Sequence, residues 1–241
     1  MTLMVLQQIL KEKSLFVMKI ITESKYFSKD GQYLSQFGSK GNEDGQFNKP
    51  RSVSIDQRND QIIVVDTSNH RIQIFDSQGH FIRKFGSKGI EDGQFQYPSA
   101  IVIDSVGNYF ISDCKNDLIQ IFDENGTFIR KFGSEGKENG ELDGAFGLGL
   151  LSNGNLVVGE YINNRISLFD NQGNFIKIIA DGELKDPSHL FIDSDDNILI
   201  NDDENQRIAI YSSQTGNLVK SIQTQANPSG VTMDRDGRII R

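Results

Sequence analysis

The chain has 241 residues with 33 Asp and Glu against 25 Lys and Arg, a net charge of −8 that works against a phosphate backbone or an anionic lipid surface as partner. With 37% hydrophobic and 24% charged residues, 23 Gly and 4 Pro, the composition excludes a disordered chain and suits a fold rich in tight turns. A single cysteine, Cys114, excludes an intrachain disulfide and a cysteine-based metal site, in keeping with a reducing, cytoplasmic setting.

Residues 1–19 are apolar but lack a basic leader, and Lys11 and Lys13 interrupt the run short of the roughly 18 residues that a spanning helix needs. Neither a signal peptide nor a membrane span is expected there. The stretch reads as an extension, a short amphipathic helix or a strand remnant, ahead of a domain at 20–241. Residues 20–27 and 33–37 are expected to be the third and fourth strands of a structural unit, because KYFSKDGQYLSQFG runs in register with the later QIFDSQGHFIRKFG. Next comes FGSKGNEDGQF at 37–47, which returns at 85–95 with one letter changed. Copies of the longer unit open at Pro50, Pro98, Ala145 and Pro187, and a half copy starts at Pro228.

Each copy holds four short strand-like runs separated by turn residues. In the second copy these are residues 100–104, 109–113, 118–123 and 128–132, with Gly107 and Asn125-Gly126 at hairpin turns. A four-stranded meander recurring at about 40–50 residues is the pattern of a β-propeller blade. The expected fold is all-β, a propeller of four-stranded antiparallel blades: four complete plus one composite of N- and C-terminal strands, with a fragment of a six-bladed ring as the alternative. The repeated glycine phrase is then the connector from the outer strand of one blade to the inner strand of the next. No helix follows it, which argues against a phosphate loop.

Between the second and third strands an acid is followed by Asn three on and Arg five on. The sets are Asp66, Asn69 and Arg71; Asp113 and Asn116, with Leu118 in the Arg position; Glu160 for Asp, with Asn163 and Arg165; and Asp202, Asn205 and Arg207. Physically the pattern is structural, since Asn closes turns and an acid and Arg at fixed offsets can pair. Together with the connector, it resembles the NHL-repeat family of β-propellers, and most of all the C-terminal propellers of tripartite-motif (TRIM-NHL) ubiquitin ligases and related translational regulators. That resemblance implies a ring that recruits a partner for ubiquitination, or one that holds single-stranded RNA; some NHL-like propellers are metal-dependent lyases, and a propeller lyase or small-ligand sensor is the further alternative.

The chemistry of an enzyme is not legible. His70, His80 and His189 fall at different blade positions, without metal-ligand spacing, and no catalytic residue, metal or cofactor is expected. Residues 193–197, DSDDN, read as an acidic hairpin turn and not a calcium loop. No RING, B-box or coiled-coil segment is present, so any ligase activity would belong to a longer parent or an associated chain. The loops of the connector face are acidic in sum, which favours a protein partner over RNA and leaves DNA and membrane unexpected. One sector departs from this, with Lys40, Lys49 and Arg51 near Tyr97, and suits an acidic peptide or a stacked base. The expected partner-binding residues are Arg51, Tyr97, Ser99, Phe146, Ser188 and His189, at or beside the start of each inner strand. The outer-strand cations Arg83, Lys84, Arg130, Lys131, Lys177 and Lys220 are expected to discourage edge pairing.

Overall fold

The computed structural model describes residues 36–224 in full, together with the backbone of strands Gln8–Leu10, Lys13–Met18, Glu23–Ser28, Tyr33–Phe37, Thr232–Met233 and Ile239–Ile240. Five four-stranded antiparallel sheets follow one another in chain order. Blade two comprises Ser52–Asp56, Gln61–Asp66, Arg71–Phe75 and Phe81–Phe85; blade three comprises Pro98–Ile103, Tyr109–Asp113, Leu118–Phe122 and Phe128–Phe132. Blade four is Ala145–Leu150, Leu156–Glu160, Arg165–Phe169 and Phe175–Ile179, and blade five is Pro187–Ile192, Asn197–Asp202, Arg207–Ser212 and Leu218–Gln223. The first strands of adjacent blades lie against one another and so line the axis. The second strands, IIVV in blade two and LVVG in blade four, are buried on both faces.

Blade one corrects the expected composite. Its first two strands are Gln8–Leu10 and Lys13–Met18, which pair onward to Glu23–Ser28 and Tyr33–Phe37, so residues read as an extension supply the inner half. The C-terminal strands Thr232–Met233 and Ile239–Ile240 pair with each other instead. A hairpin partner a few residues away costs far less loop-closure entropy than one at the far end of the chain.

Between blades the same three side chains meet each time. The last aromatic of an outer strand lies on the third-strand aromatic of the next blade, with ring centroids 4.9 Å apart for Phe37 and Phe75, 4.8 Å for Phe85 and Phe122, and 5.0 Å for Phe132 and Phe169. The connector sends in the third member, Phe47, Phe95, Leu142 or Leu184, each buried. The glycine phrase therefore folds as a closed loop with its aromatic tucked inward: the Gly41 amide bonds the Phe47 carbonyl at 3.0 Å, and Gly89 bonds Phe95 at 3.1 Å. Gly38, at φ +85°, must lack a side chain, because a Cβ there would lie 2.2 Å from the Phe47 ring.

The outer edge is managed differently from the expectation. Each outer strand carries a β-bulge, in which Ile82, Ile129, Ile176 or Val219 is the extra residue, and this breaks the regular edge that another chain could extend. The cations beside it are stapled to neighbours. Arg83 donates to the Glu124 carbonyl, Arg130 to those of Asn171 and Gln172, and Lys177 to that of Gln214 at 2.7 Å, each in the next blade. Lys84 and Lys131 pair with the connector acids Asp44 and Asp92. Where the third connector has Asn139 at that position, the outer strand has Ile178.

Candidate functional site

The acid–Asn–Arg turns hold the connectors. The Asp66 carboxylate accepts the Asn48 amide at 2.7 Å, Asn69 Nδ2 and Arg71 Nε at 2.8 Å, and Gln73 Nε2 at 3.1 Å. Arg71 reaches on to the carbonyls of Glu43 at 2.8 Å and Gln46 at 2.9 Å, and Asn69 to that of Gly41 at 2.9 Å. Blade four repeats this with Glu160, Asn163 and Arg165, the last donating to Lys137 and Glu141 carbonyls at 2.6 and 3.0 Å. In blade five, Asp202 takes Asn205, Arg207 and the Lys185 amide. Blade three lacks the Arg. Asp113 accepts the Gln96 and Tyr97 amides at 2.8 and 2.7 Å and Asn116 at 2.7 Å, while Leu118 offers nothing and burial raises the carboxyl above its usual range.

One further residue in the turns of blades two, three and four joins the next blade, and the sequence reading missed it. His70, Asp117 and Asn164 sit at positive φ; His70 Nδ1 bonds the Gln96 carbonyl at 2.8 Å, Asp117 accepts the Gly144 amide at 2.8 Å and Asn164 accepts the Asp186 amide at 3.0 Å. Their recurrence one place before the Arg position was the available signal.

This frame presents the start of the inner strands at the connector-side mouth of the ring. In blades three, four and five the pairing skips a residue there, between Pro98 and Ile101, Ala145 and Gly147, and Pro187 and Leu190. Such bulges re-aim side chains out of the ladder. Phe146 is the extra residue in blade four, and Ser188 and His189 span the irregularity in blade five.

Four of the six expected residues form one cluster across four consecutive blades. The Arg51 guanidinium lies 4.8 Å from the Tyr97 ring centroid and 4.9 Å from that of Phe146, and the Phe146 ring meets His189 edge-on at 5.2 Å. Tyr161, at 6.2 Å from Phe146, and the Lys115 ammonium, at 5.7 Å from Tyr97, extend the cluster. Neither was anticipated, although Tyr161 directly follows the turn acid, next to the mouth. Ser99 lies elsewhere: it is buried, its Oγ bonded to the Tyr97 carbonyl at 3.1 Å, and it positions the loop instead of facing a partner. Ser188 Oγ is buried without a hydrogen-bond partner among the described residues. Beneath Tyr97, burial pushes the Cys114 thiol up to about 11, so it is protonated at neutral pH. Burial also raises Asp117 and Asp143 on the rim. His70, His80 and His189 occupy separate settings, and no group of three or more His, Cys, Asp or Glu placed to hold a metal occurs among the described residues. No helix among those residues is long and apolar enough to cross a membrane.

Comparison with known proteins matches residues 47–75 to the NHL repeat. A stretch of 44 residues is 54% identical to Protein brain tumor of Drosophila melanogaster, covering 18% of this chain and 4% of that protein. Among solved structures, a streptogramin B lyase superposes with a TM-score of 0.71 at 16% identity, over 94% of this chain and 71% of the other. A chain of the nidogen/laminin complex gives 0.75 at 16% identity, over 92% and 80%. Both solved structures share the propeller fold, and the matched segment contains the first complete acid–Asn–Arg turn. The chain is built as a β-propeller, and one of its repeats, residues 47–75, matches the NHL repeat.

Proposed function

We propose that the ring is a non-catalytic interaction module that binds a protein partner at its connector-side mouth in the cytoplasm. The observation that carries this reading is the convergence of Arg51, Tyr97, Phe146 and His189, from four blades, into one half-exposed aromatic and cationic cluster. Aromatics and Arg at the centre of a rigid concave surface are what protein interfaces use as anchors. The NHL-repeat match supports an interaction module, and the resemblance of the turn pattern to TRIM-NHL propellers extends the proposal to presenting the captured partner to a ubiquitin ligase, carried on a longer parent or an associated chain. The likeness to a streptogramin B lyase, at 16% identity, concerns the fold.

The experiment is affinity capture from nuclease-treated lysate on the intact chain and on Tyr97→Ala and Phe146→Ala, with thermal melting beside it. Partners retained by the parent and lost by both variants at unchanged melting midpoint are expected. In parallel, random single-stranded RNA pools titrated at two salt concentrations should bind no tighter than about 10 μM, the non-specific range. Submicromolar, sequence-selective RNA binding lost in Tyr97→Ala would replace the protein partner with RNA.

A further inference from the structure

We infer that the mouth recognises an internal Asp or Glu side chain of a partner peptide, received by the Arg51 guanidinium; this rests on the protein-partner reading above. A guanidinium is a permanent cation with five N–H donors. Among the described residues its side chain meets no carboxylate and no hydrogen-bond acceptor, and its Nε is buried without a partner. The other arginines of the turns each hold a carboxylate: Arg71 on Asp66, Arg165 on Glu160 and Arg207 on Asp202. At the mouth Arg51 is flanked instead by rings, Tyr97 and Phe146, at 4.8 and 4.9 Å from its guanidinium carbon, and of its nitrogens only Nε is buried without a partner, so the terminal amino groups are the donors open to a ligand. A planar carboxylate matches that edge in bidentate fashion, and a half-buried cation without an anion gains most from receiving one.

The surroundings favour an internal acid over a chain terminus. Apolar and aromatic surface continues on both sides of the guanidinium, through Tyr97 one way and through Phe146, Tyr161 and His189 the other. A segment running through the mouth covers both sides only if it has residues before and after the acid. The rim carboxyls Asp117 and Asp143 penalise further negative charge, so the segment carries one acid at the centre instead of an acidic run.

The test selects peptides from a random dodecapeptide library on the intact chain and synthesises each enriched sequence as an acetylated, amidated pair differing by one Asp→Asn or Glu→Gln change. The amide member is expected to bind about tenfold more weakly or worse, the usual scale for a lost charge-assisted bond. On Arg51→Gln protein the two members should differ by less than about twofold. The pair on the parent protein decides the matter even if that variant fails to fold. Peptides that bind in a Phe146-dependent manner yet tolerate the amide overturn the carboxylate inference and leave protein recognition standing, as do enriched sequences that bind only when resynthesised with a free C-terminal carboxylate. No enriched peptide, or RNA binding lost in Arg51→Gln, overturns the inference, and the RNA result overturns the reading beneath it.

Discussion

Asp113 is the weak member of a repeated clamp. Its counterparts Asp66, Glu160 and Asp202 each face a guanidinium, whereas Asp113 faces Leu118 and is raised by burial. A carboxyl raised in the folded state favours folding while protonated, and that contribution is lost as pH rises through its folded value. Supplying the missing cation reverses the sign. Leu118→Arg should raise stability at neutral pH by about 1.5–3 kcal/mol, the worth of a bond to a charged group. The gain should disappear as pH falls below the ordinary carboxyl range, which chemical denaturation at pH 7 and pH 3 would register. A loss at pH 7 would mean that the Leu118 site cannot admit the longer chain. The sequence showed both the clamp and its defect, because the spacing is local and repeats.

At the scale of elements, the hairpin between third and outer strands ends on a glycine that touches the preceding blade. A Cβ on Gly126, at φ +84°, would lie 2.5 Å from the Phe85 ring, whereas Gly154, at φ +83° in the hairpin between the first and second strands of blade four, has nothing within 4 Å. Gly154→Ala should therefore cost about 1 kcal/mol of backbone strain, and Gly126→Ala about 2–4 kcal/mol, the excess being a clash between blades. Equal costs in urea denaturation would show that this contact yields freely. The strands, turns and connectors were legible because their periods are local. The edge bulges and the stapling of Arg83 and Arg130 to the next blade were not, since a bulge leaves the letter pattern almost unchanged and a carbonyl acceptor carries no sequence signature.

At the scale of the whole molecule, blades are joined only to their neighbours, so stability should propagate from interface to interface. Phe37 closes the aromatic cluster of Phe47 and Phe75 from the side of blade one. A chain beginning at residue 38 loses that ring, which costs on the order of 3 kcal/mol at the nearest interface alone. It should melt at a lower midpoint by circular dichroism while the remaining blades still unfold together. An unchanged midpoint would mean that blade one is not coupled to blade two. The first blade's own strand order escaped the sequence reading because two half-copies at opposite ends look as complementary on paper as two hairpins do. At the mouth the sequence named Arg51, Tyr97, Phe146 and His189, but it could not say that they touch, since the contact spans blades two to five. The equivalent strand-opening places hold Arg51, Ser99, Phe146 and Ser188, so turning the ring by one blade does not bring its chemistry back onto itself. A scaffold of near-rotational symmetry thus carries a mouth with a single azimuth. On the proposed reading, a segment threaded there would be fixed in heading as well as in place, and its two ends would leave in set directions, giving a tethered assembly a defined handedness about the axis.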